Sequence, residues 1–297
     1  MSIEVTIRQV GFEKKTMPLK TILGADLLYG SYDEGWRLHT GERNENDFLA
    51  YMPMQLARGF VVNWNENDME LVRLKALTPT APAELRTFYE TVYRIATYWE
   101  SEIEVDGRLM DLEDFIDGFE AMLEFNQNTL QKMAKSVIDG ENSEMTLFSV
   151  MWPLVMGRQE AEAFLVEPSY FPKWLHEKQN IDAYYIKPSF FRREDGVWGR
   201  YAISEELRCI LPIKPYVPYG FDDPETNELL ECNNYGMLIY SIFRSETIGE
   251  MPYDDFIKGI RKFKKAKAKR YDGNHIIIEG LSGEDLEEFV REMEQVQ

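Results

Sequence analysis

The alternation of apolar and polar residues predicts β-strands over most of the first 77 residues. Ile3, Val5 and Ile7 alternate with polar neighbours, as in a strand with one buried face. Three further strand-like stretches follow at residues 27–38, 59–64 and 69–77. The first of these is predicted to be a hairpin that turns at residues 33–35, and the other two are predicted to form a strand pair.

Two long helices are predicted after this strand-rich part. Pro79 and Pro82 separate the last strand from a helix whose apolar residues recur at helical spacing as far as Trp99. A short hairpin follows, with Asp-Gly at its turn, residues 106–107. A second helix is predicted over residues 111–138. Its apolar face consists of Leu112, Phe115, Ile116, Phe119, Met122 and Leu123.

The sequence of the second half of the chain predicts shorter helices and strands. Helices are predicted at residues 158–165, from residue 168, at residues 254–263 and from residue 284. Strands or hairpins are predicted at residues 184–203, 237–243 and 275–279, with turns at residues 195–196 and 272–274. Ser282 and Asp285 resemble a capping box for the last helix. Residues 209–224 are rich in proline and aromatic residues, which predicts irregular or edge structure.

Together these elements predict an α+β fold, with antiparallel sheets and helices packed on one face. A polar break at residues 139–144 predicts two modules, residues 1–140 and residues 145–297. Residues 69–123 and 237–297 share one order of strand, proline, helix, Asp-Gly hairpin and helix, as two duplicated modules would. Coincidence is the alternative, because acidic residues commonly open helices and Asp-Gly commonly forms hairpin turns.

Composition and charge exclude several classes of protein. The apolar fraction of 44% and the aromatic fraction of 13% predict a folded core. No apolar run approaches the roughly 20 residues of a membrane span, and the N-terminus does not have the pattern of a secretory signal. Cys209 and Cys232 are therefore expected to be reduced thiols of a cytoplasmic protein, with a single disulfide bridge between them as the alternative. The net charge of −19 disfavours nucleic acid and anionic membranes as partners.

The sequence contains no motif of catalytic or cofactor-binding chemistry. Zinc-ligand spacings, a nucleophile elbow and the glycine-rich phosphate loops are all missing. His39, His176 and His275 lie far apart and are expected to be structural. The acidic stretch at residues 222–231 is expected to be a solvated loop, because it does not have the glycine spacing of a calcium loop. No catalytic residue, cofactor or metal ligand is therefore predicted.

Aromatic residues cluster in the second half of the chain. The cluster consists of Tyr184, Tyr185, Phe190, Phe191, Trp198, Tyr201, Tyr216, Tyr219 and Phe221. Alternate aromatic residues on a strand usually pack in a core, whereas adjacent ones point to opposite faces of a sheet. The pattern favours core packing, and an exposed aromatic patch would instead mark a surface for a partner or ligand.

One charged stretch stands out. Residues 258–270, the basic segment, carry eight positive charges and no acidic residue, so the other 284 residues carry −27. The candidate partner-binding residues are Lys262, Lys264, Lys265, Lys267, Lys269 and Arg270. Three explanations remain open: lysines that protect an exposed edge strand from aggregation, pairing with the acidic remainder of the chain, or a docking site for an anionic partner. Candidate partners are an acidic protein face, including a second copy of the chain, RNA or a phosphorylated ligand.

Three stretches of the first third carry a resemblance to a known family. Residues 27–34, 58–60 and 69–74 resemble a bacterial family, mainly from Gram-positive species, of proteins of this length and of unknown function. The resemblance implies a bacterial cytoplasmic protein. It assigns no functional residue, because none of the matching stretches is a catalytic motif.

These observations favour a non-enzymatic binding or regulatory protein. A toxin-neutralising role is one version, because an acidic protein can cover the basic surface of a toxin. The alternative is a carboxylate-dependent hydrolase, which would need a deep pocket holding two or more carboxylates with shifted pKa values. A third class is a structural homodimer in which the basic segment of one copy meets an acidic face of the other.

Overall fold

A computed structural model describes residues 1–33, 37–44, 46–65, 67, 69–194, 196–219, 221–223, 228–232 and 234–295. The chain forms two compact units, an N-terminal unit, Met1–Ile181, and a C-terminal unit, Asp182–Gln297. Helices and mainly antiparallel sheets make up both units, which confirms the predicted α+β class.

The N-terminal unit contains ten strands and six helices in its described part. The strands are β1 (Ser2–Arg8), β2 (Leu28–Tyr32), β3 (Leu38–Thr40), β4 (Asp47–Tyr51), β5 (Phe60–Asn63), β6 (Leu71–Leu77), β7 (Ile103–Val105), β8 (Arg108–Met110), β9 (Met145–Leu147) and β10 (Leu154–Met156). The helices are α1 (Leu19–Leu23), α2 (Pro82–Trp99), α3 (Leu112–Asp117), α4 (Phe119–Ile138), α5 (Arg158–Val166) and α6 (Tyr170–Gln179).

An eight-stranded antiparallel sheet organises this unit, in the order β3-β2-β4-β5-β6-β1-β7-β8. The predicted alternation in β1 is confirmed, because Ile3, Val5 and Ile7 are all at most 1% exposed. Helix α2 packs on this apolar face, where Phe88 meets Phe60 edge to face with ring centroids 5.4 Å apart. The predicted hairpin at residues 27–38 corresponds to the β2–β3 pair, although residues 34–36 at its turn lie outside the described residues.

The single helix predicted for residues 111–138 is wrong, because the chain forms two helices that break at Gly118. Glycine is among the weakest helix formers, which fits a break at this position. On either side of the break, Phe115 stacks on Tyr89 with ring centroids 4.1 Å apart, and Phe119 meets the same ring edge to face at 5.1 Å. The predicted apolar face nevertheless packs against the core of the unit.

Helices α5 and α6 belong to the N-terminal unit, so the boundary between the units lies at Ile181 and Asp182, whereas the sequence predicted it at residues 139–144. The side chain of Gln179 on α6 donates to the carbonyl of Ala57 (2.8 Å) and accepts from the amide of Met151 (2.9 Å). The polar break after α4 is a turn inside the unit, which composition alone does not distinguish from a linker.

The C-terminal unit contains eight strands and two helices in its described part. The strands are β11 (Tyr184–Tyr185), β12 (Ser189–Arg193), β13 (Gly196–Ser204), β14 (Cys209–Pro212), β15 (Asn234–Ser241), β16 (Glu246–Pro252), β17 (Lys269–Arg270) and β18 (His275–Ile278). The helices are α7 (Tyr253–Ile260) and α8 (Gly283–Glu294). Two four-stranded sheets result, β11-β14-β18-β17 and β12-β13-β15-β16. The pairs β11–β14 and β13–β15 are parallel.

The sheets of this unit correct two predictions and contain one strand that was not predicted. Residues 209–212 form β14, an inner strand, because its apolar run is buried between β11 and β18. Residues 184–185 pair with β14 and not within the predicted hairpin, which consists of β12 and β13 alone. Strand β16 was not predicted. The capping box of Ser282 and Asp285 is confirmed, with the Asp285 amide donating to Ser282 Oγ at 3.1 Å.

The internal duplication stays a prediction. Residues 69–123 and 237–297 share the order helix, hairpin and helix, but β16 lies between β15 and α7 without a counterpart between β6 and α2, and the strand pairing differs. Strands β6 and β7 lie in one sheet, whereas β15 and β18 lie in different sheets.

Among the described residues, no helix combines the length and the apolar composition needed to cross a membrane. Helix α4, at 20 residues, carries exposed charged residues along its length, including Glu124, Lys132 and Lys135.

Candidate functional site

The basic segment runs from the end of α7 through a 3₁₀ turn at Lys264–Ala266 to strand β17. Buried apolar residues alternate with its charges and fix it to the unit. Ile260 and Ala266 are fully buried, and Phe263 is 7% exposed. All eight basic side chains of the segment belong to exposed residues, so the segment presents a concentrated positive surface on a rigid support.

Lys265 differs from its neighbours because it is paired within the unit. Its Nζ atom lies 2.7 Å from Asp285 Oδ1 and 2.9 Å from Glu288 Oε2, both on α8. These hydrogen bonds raise the pKa of Lys265 and lower that of Asp285. Pairing with the acidic remainder therefore explains Lys265, which helps to hold the 3₁₀ turn against α8.

The alternation of lysine and alanine at residues 266–269 suggested an exposed strand, and this is wrong for most of the stretch. Lys267 has a left-handed backbone, with φ of 46°, directly after the 3₁₀ turn. Only Lys269 and Arg270 form β17, which pairs with β18 at the edge of its sheet. Charged side chains at such an edge oppose pairing with a strand of another chain.

A cleft of about 800 Å³ opens elsewhere on the C-terminal unit. We call it the aromatic-acidic cleft. Its lining includes the aromatic residues Trp198, Tyr235 and Tyr253, the carboxylates Glu250 and Asp254, and the thiol of Cys232. These residues are spread over 57 positions of the chain but come together where β13, β15 and β16 meet the start of α7.

The register between β13 and β15 determines where several side chains of the cleft lie. In the parallel pair β13–β15, Trp198 lies opposite Asn234 and Gly199 opposite Tyr235. A Cβ atom at Gly199 would stand 2.6 Å from the ring of Tyr235, so only glycine leaves room for this ring against β13. The ring of Tyr253 packs on that of Tyr201 with centroids 4.5 Å apart. The walls of the cleft are therefore held by the core.

Arginine side chains stack on aromatic rings beside the cleft. Phe191 and Trp198 are cross-strand partners in the β12–β13 hairpin. The guanidinium carbon of Arg193 lies 4.6 Å from the ring centroid of Trp198 and 5.0 Å from that of Phe191. Arg200 lies 5.1 Å from the centroid of Phe191. The predicted core role is confirmed for Tyr201, which is 1% exposed, while Phe191 and Trp198 are half-buried.

The two cysteines differ in accessibility. Cys209 on β14 is fully buried, and burial raises the pKa of its thiol, as expected for an inert core residue. Cys232 is half-buried at the cleft, with Sγ 3.5 Å from the carbonyl of Val197 and 3.4 Å from that of Asn234. Cys232 therefore provides a chemical label for the cleft.

A buried polar network lies in the core of the same unit. His275 and Asp272 are both fully buried, and His275 Nδ1 donates to Asp272 Oδ1 at 2.8 Å. The Nε2 atom of His275 is hydrogen-bonded to the hydroxyl of Tyr185 at 3.0 Å, and that hydroxyl is hydrogen-bonded to Tyr216. The buried polar atoms satisfy one another, which is the structural role predicted for this histidine.

Tyr201 and Tyr253 should make the C-terminal unit sensitive to alkali. Both are 1% exposed, and burial raises the pKa of each phenol above the usual value near 10. The folded state therefore keeps these protons to a higher pH than the unfolded state. The stability contributed by the neutral phenols is fully present below about pH 10 and falls as the pH rises further.

Urea denaturation at increasing pH would measure this effect. Above pH 10, the unfolding free energy of wild type should fall more steeply with pH than that of Tyr201→Phe. The two slopes should differ by about 1.4 kcal/mol per pH unit. Tyr184→Phe, which removes a phenol that is 51% exposed, is the control and should leave the slope near that of wild type. Equal slopes for both variants would contradict the assignment.

Sequence reasoning located the basic segment but not the cleft. Of the aromatic residues of the cleft, only Trp198 is in the cluster for which the sequence pattern favours core packing. Strand β16, which carries Glu250, was missed because its sequence does not alternate regularly. The signal that could have found the cleft is Tyr235-Gly236 together with Gly199, since glycines inside strands mark close approaches. Of the acidic loop, residues 224–227 lie outside the described residues, while Asp223 pairs with Arg192 at 2.5 Å.

The comparisons with known proteins agree with the resemblance noted in the sequence. No curated protein and no solved structure matches the chain. A family model described as a domain of unknown function, DUF4299, matches residues 2–289, which is nearly the whole chain. The predicted resemblance to a family of unknown function is therefore confirmed, and the chain belongs to the DUF4299 family.

Proposed function

We propose that this chain is a non-enzymatic binding protein that docks an acidic protein surface through the basic segment. The observation that carries the proposal is the exposure of Lys262, Lys264, Lys267 and Lys269 on a segment anchored by buried apolar residues. An anchored segment loses little conformational entropy on binding, and its charges attract an acidic surface at long range.

Lys265 takes a different part in this proposal. Because it already pairs with Asp285 and Glu288, it supports the segment and contributes less to the partner. Lys269 and Arg270 lie on the edge strand β17, and their charges add to the positive surface of the segment. A regulatory role, including neutralisation of a toxin, follows if docking covers a functional surface of the partner. The acidic remainder of the chain, at −27, can complement a toxin that also has a basic face.

Charge reversal tests the proposal. The test variant replaces Lys264, Lys267 and Lys269 by glutamate and leaves Lys265 in place. The control variant replaces Lys20, Lys132 and Lys135, three exposed lysines of the N-terminal unit, by glutamate as well. The two variants therefore have the same net charge. Affinity capture from cell lysate, followed by titration of the purified partner, should show at least about a 100-fold loss of affinity for the test variant only.

Salt and protein concentration complete this experiment. Affinity for an acidic partner should fall as salt is raised, because exposed charges are screened. If sedimentation shows self-association that the test variant loses, the acidic surface belongs to a second copy. A partner retained equally by wild type and both variants would overturn the proposal, as would the failure of wild type to capture any partner at low salt.

A carboxylate-dependent hydrolase is the second candidate, and one observation favours it. Glu250 and Asp254 both line the aromatic-acidic cleft, as paired catalytic carboxylates would. Hydrolysis of ester, phosphoester and glycoside test substrates should then be lost in Glu250→Gln and Asp254→Asn. Turnover that is absent in wild type, or unchanged in these variants, would remove this candidate.

A further inference from the structure

The aromatic-acidic cleft has the size and composition of a small-molecule site. Its volume of about 800 Å³ lies within the range of about 300–1,000 Å³ that is typical of ligand pockets. Its lining combines aromatic residues, two prolines and a methionine with two carboxylates, and a mainly apolar lining with a few charged groups is typical of such pockets. It is separate in sequence from the basic segment, and no residue of residues 258–270 lines it.

The charges in the cleft determine whether it favours a positively or a negatively charged ligand. Glu250 near the end of β16 and Asp254 in the first turn of α7 both belong to exposed residues. Within the described residues, neither carboxylate forms an ion pair with a lysine or arginine of the chain. Two carboxylates at one opening favour a cation and repel an anion.

The aromatic residues of the cleft favour organic cations with an ammonium or guanidinium group. The faces of tyrosine and tryptophan rings attract ammonium and guanidinium groups within about 6 Å of the ring centroid. Arg193 already stacks on Trp198 at 4.6 Å, which shows that a guanidinium fits against a ring that also lines the cleft. Tyr235, whose ring lies against Gly199 and is half-buried, presents further aromatic surface.

We infer that the aromatic-acidic cleft binds a small organic cation that carries a guanidinium or ammonium group. Glu250 and Asp254 pair with the charged group, and Trp198 and Tyr235 pack against it and its apolar stem. The cleft is a binding site distinct from the proposed protein-docking surface, and it needs no covalent chemistry.

A pair of matched probes tests the charge requirement. Acetyl-argininamide carries a guanidinium, and acetyl-citrullinamide has an uncharged urea of nearly the same shape. Acetyl-argininamide should bind to the whole chain in a calorimetric titration and should slow alkylation of Cys232. Cys209, which is fully buried, serves as the internal reference in the same mass spectrum. Acetyl-citrullinamide should bind at least about tenfold more weakly.

Matched variants locate the site. The double variant Glu250→Gln, Asp254→Asn should lose at least about tenfold in affinity for acetyl-argininamide and should lose the protection of Cys232. The control Glu284→Gln, Glu292→Gln removes two exposed carboxylates of α8 and should bind as wild type does. The inference is overturned if wild type does not bind acetyl-argininamide, if both probes bind equally, or if the two double variants behave alike. The charge-reversal variant of the basic segment should keep this binding, so the two proposals can fail separately.

Discussion

Replacing Glu84 by alanine should destabilise the N-terminal unit by about 3–5 kcal/mol. Glu84 lies on α2 and is 2% exposed. Its carboxylate accepts from the amides of Arg58 (3.1 Å) and Gly59 (2.7 Å) and from the hydroxyl of Thr80. The variant would leave these buried donors without their acceptor, which costs their full desolvation.

The charge of Arg58 adds to this cost. Its side chain is 7% exposed in the folded unit, and burial lowers its pKa to about 10, while Glu84 opposes that change. The guanidinium keeps its hydrogen bonds to the carbonyls of Phe148 (2.8 Å) and Pro79 (3.1 Å) but loses its negative neighbour. An uncompensated buried charge is among the most destabilising changes that one substitution can cause.

Urea denaturation followed by tryptophan fluorescence measures this change, because five of the six tryptophans precede Ile181. Glu90→Ala on the exposed side of α2 is the control and should change stability by no more than about 0.5 kcal/mol. Glu84→Gln keeps one acceptor oxygen, so its loss of stability should lie between those of Glu84→Ala and Glu90→Ala. It provides a measurable variant if Glu84→Ala does not fold. A loss below about 1 kcal/mol for Glu84→Ala would show that the network does not support the unit.

Asp272→Ala should destabilise the C-terminal unit by about 3 kcal/mol. A single oxygen of Asp272 accepts from the amides of Asn274 and His275, both at 2.9 Å, and from His275 Nδ1 at 2.8 Å. Asp272 and His275 are fully buried, so water cannot replace the lost acceptor without entering the core. The turn between β17 and β18 should lose its order first.

Hydrogen exchange measured by mass spectrometry can follow this turn separately from the N-terminal unit. Peptides that cover β18 should exchange faster in Asp272→Ala, whereas peptides of α2 should not change. Asp272→Asn retains an oxygen acceptor for the two amides and should cost about 1 kcal/mol. Asp182→Ala, at an exposed position, is the control. Unchanged protection of β18 in Asp272→Ala would refute the role of this carboxylate.

Local patterns predicted much of the fold where a short stretch determines its own structure. Residues 106–107 illustrate this, because Asp106 and Gly107 have φ of 47° and 81°, the conformation that an Asp-Gly hairpin turn requires. The alternation of β1 likewise matches its buried face. The basic segment was found for the same reason, since its charges are consecutive in sequence.

Features that depend on contacts between residues far apart in the sequence could not be predicted. The parallel pair β13–β15 joins residues separated by a long connection, and nothing in either strand specifies its partner. The cleft depends on this register, because it brings Trp198 beside residues 234–236. The break at Gly118 accompanies the stacking of Phe115 on Tyr89, a contact that helical periodicity does not contain.

The contact between Gly199 and Tyr235 also constrains how the family can vary. Any larger residue at position 199 would push the ring of Tyr235 away from β13, since even a methyl group would lie 2.6 Å from it. Substitutions at these two positions are therefore coupled, and a side chain at position 199 is compatible only with a smaller or displaced residue at position 235. Among related chains, these positions should change together, and their joint variation would trace how the shape of the cleft diverged.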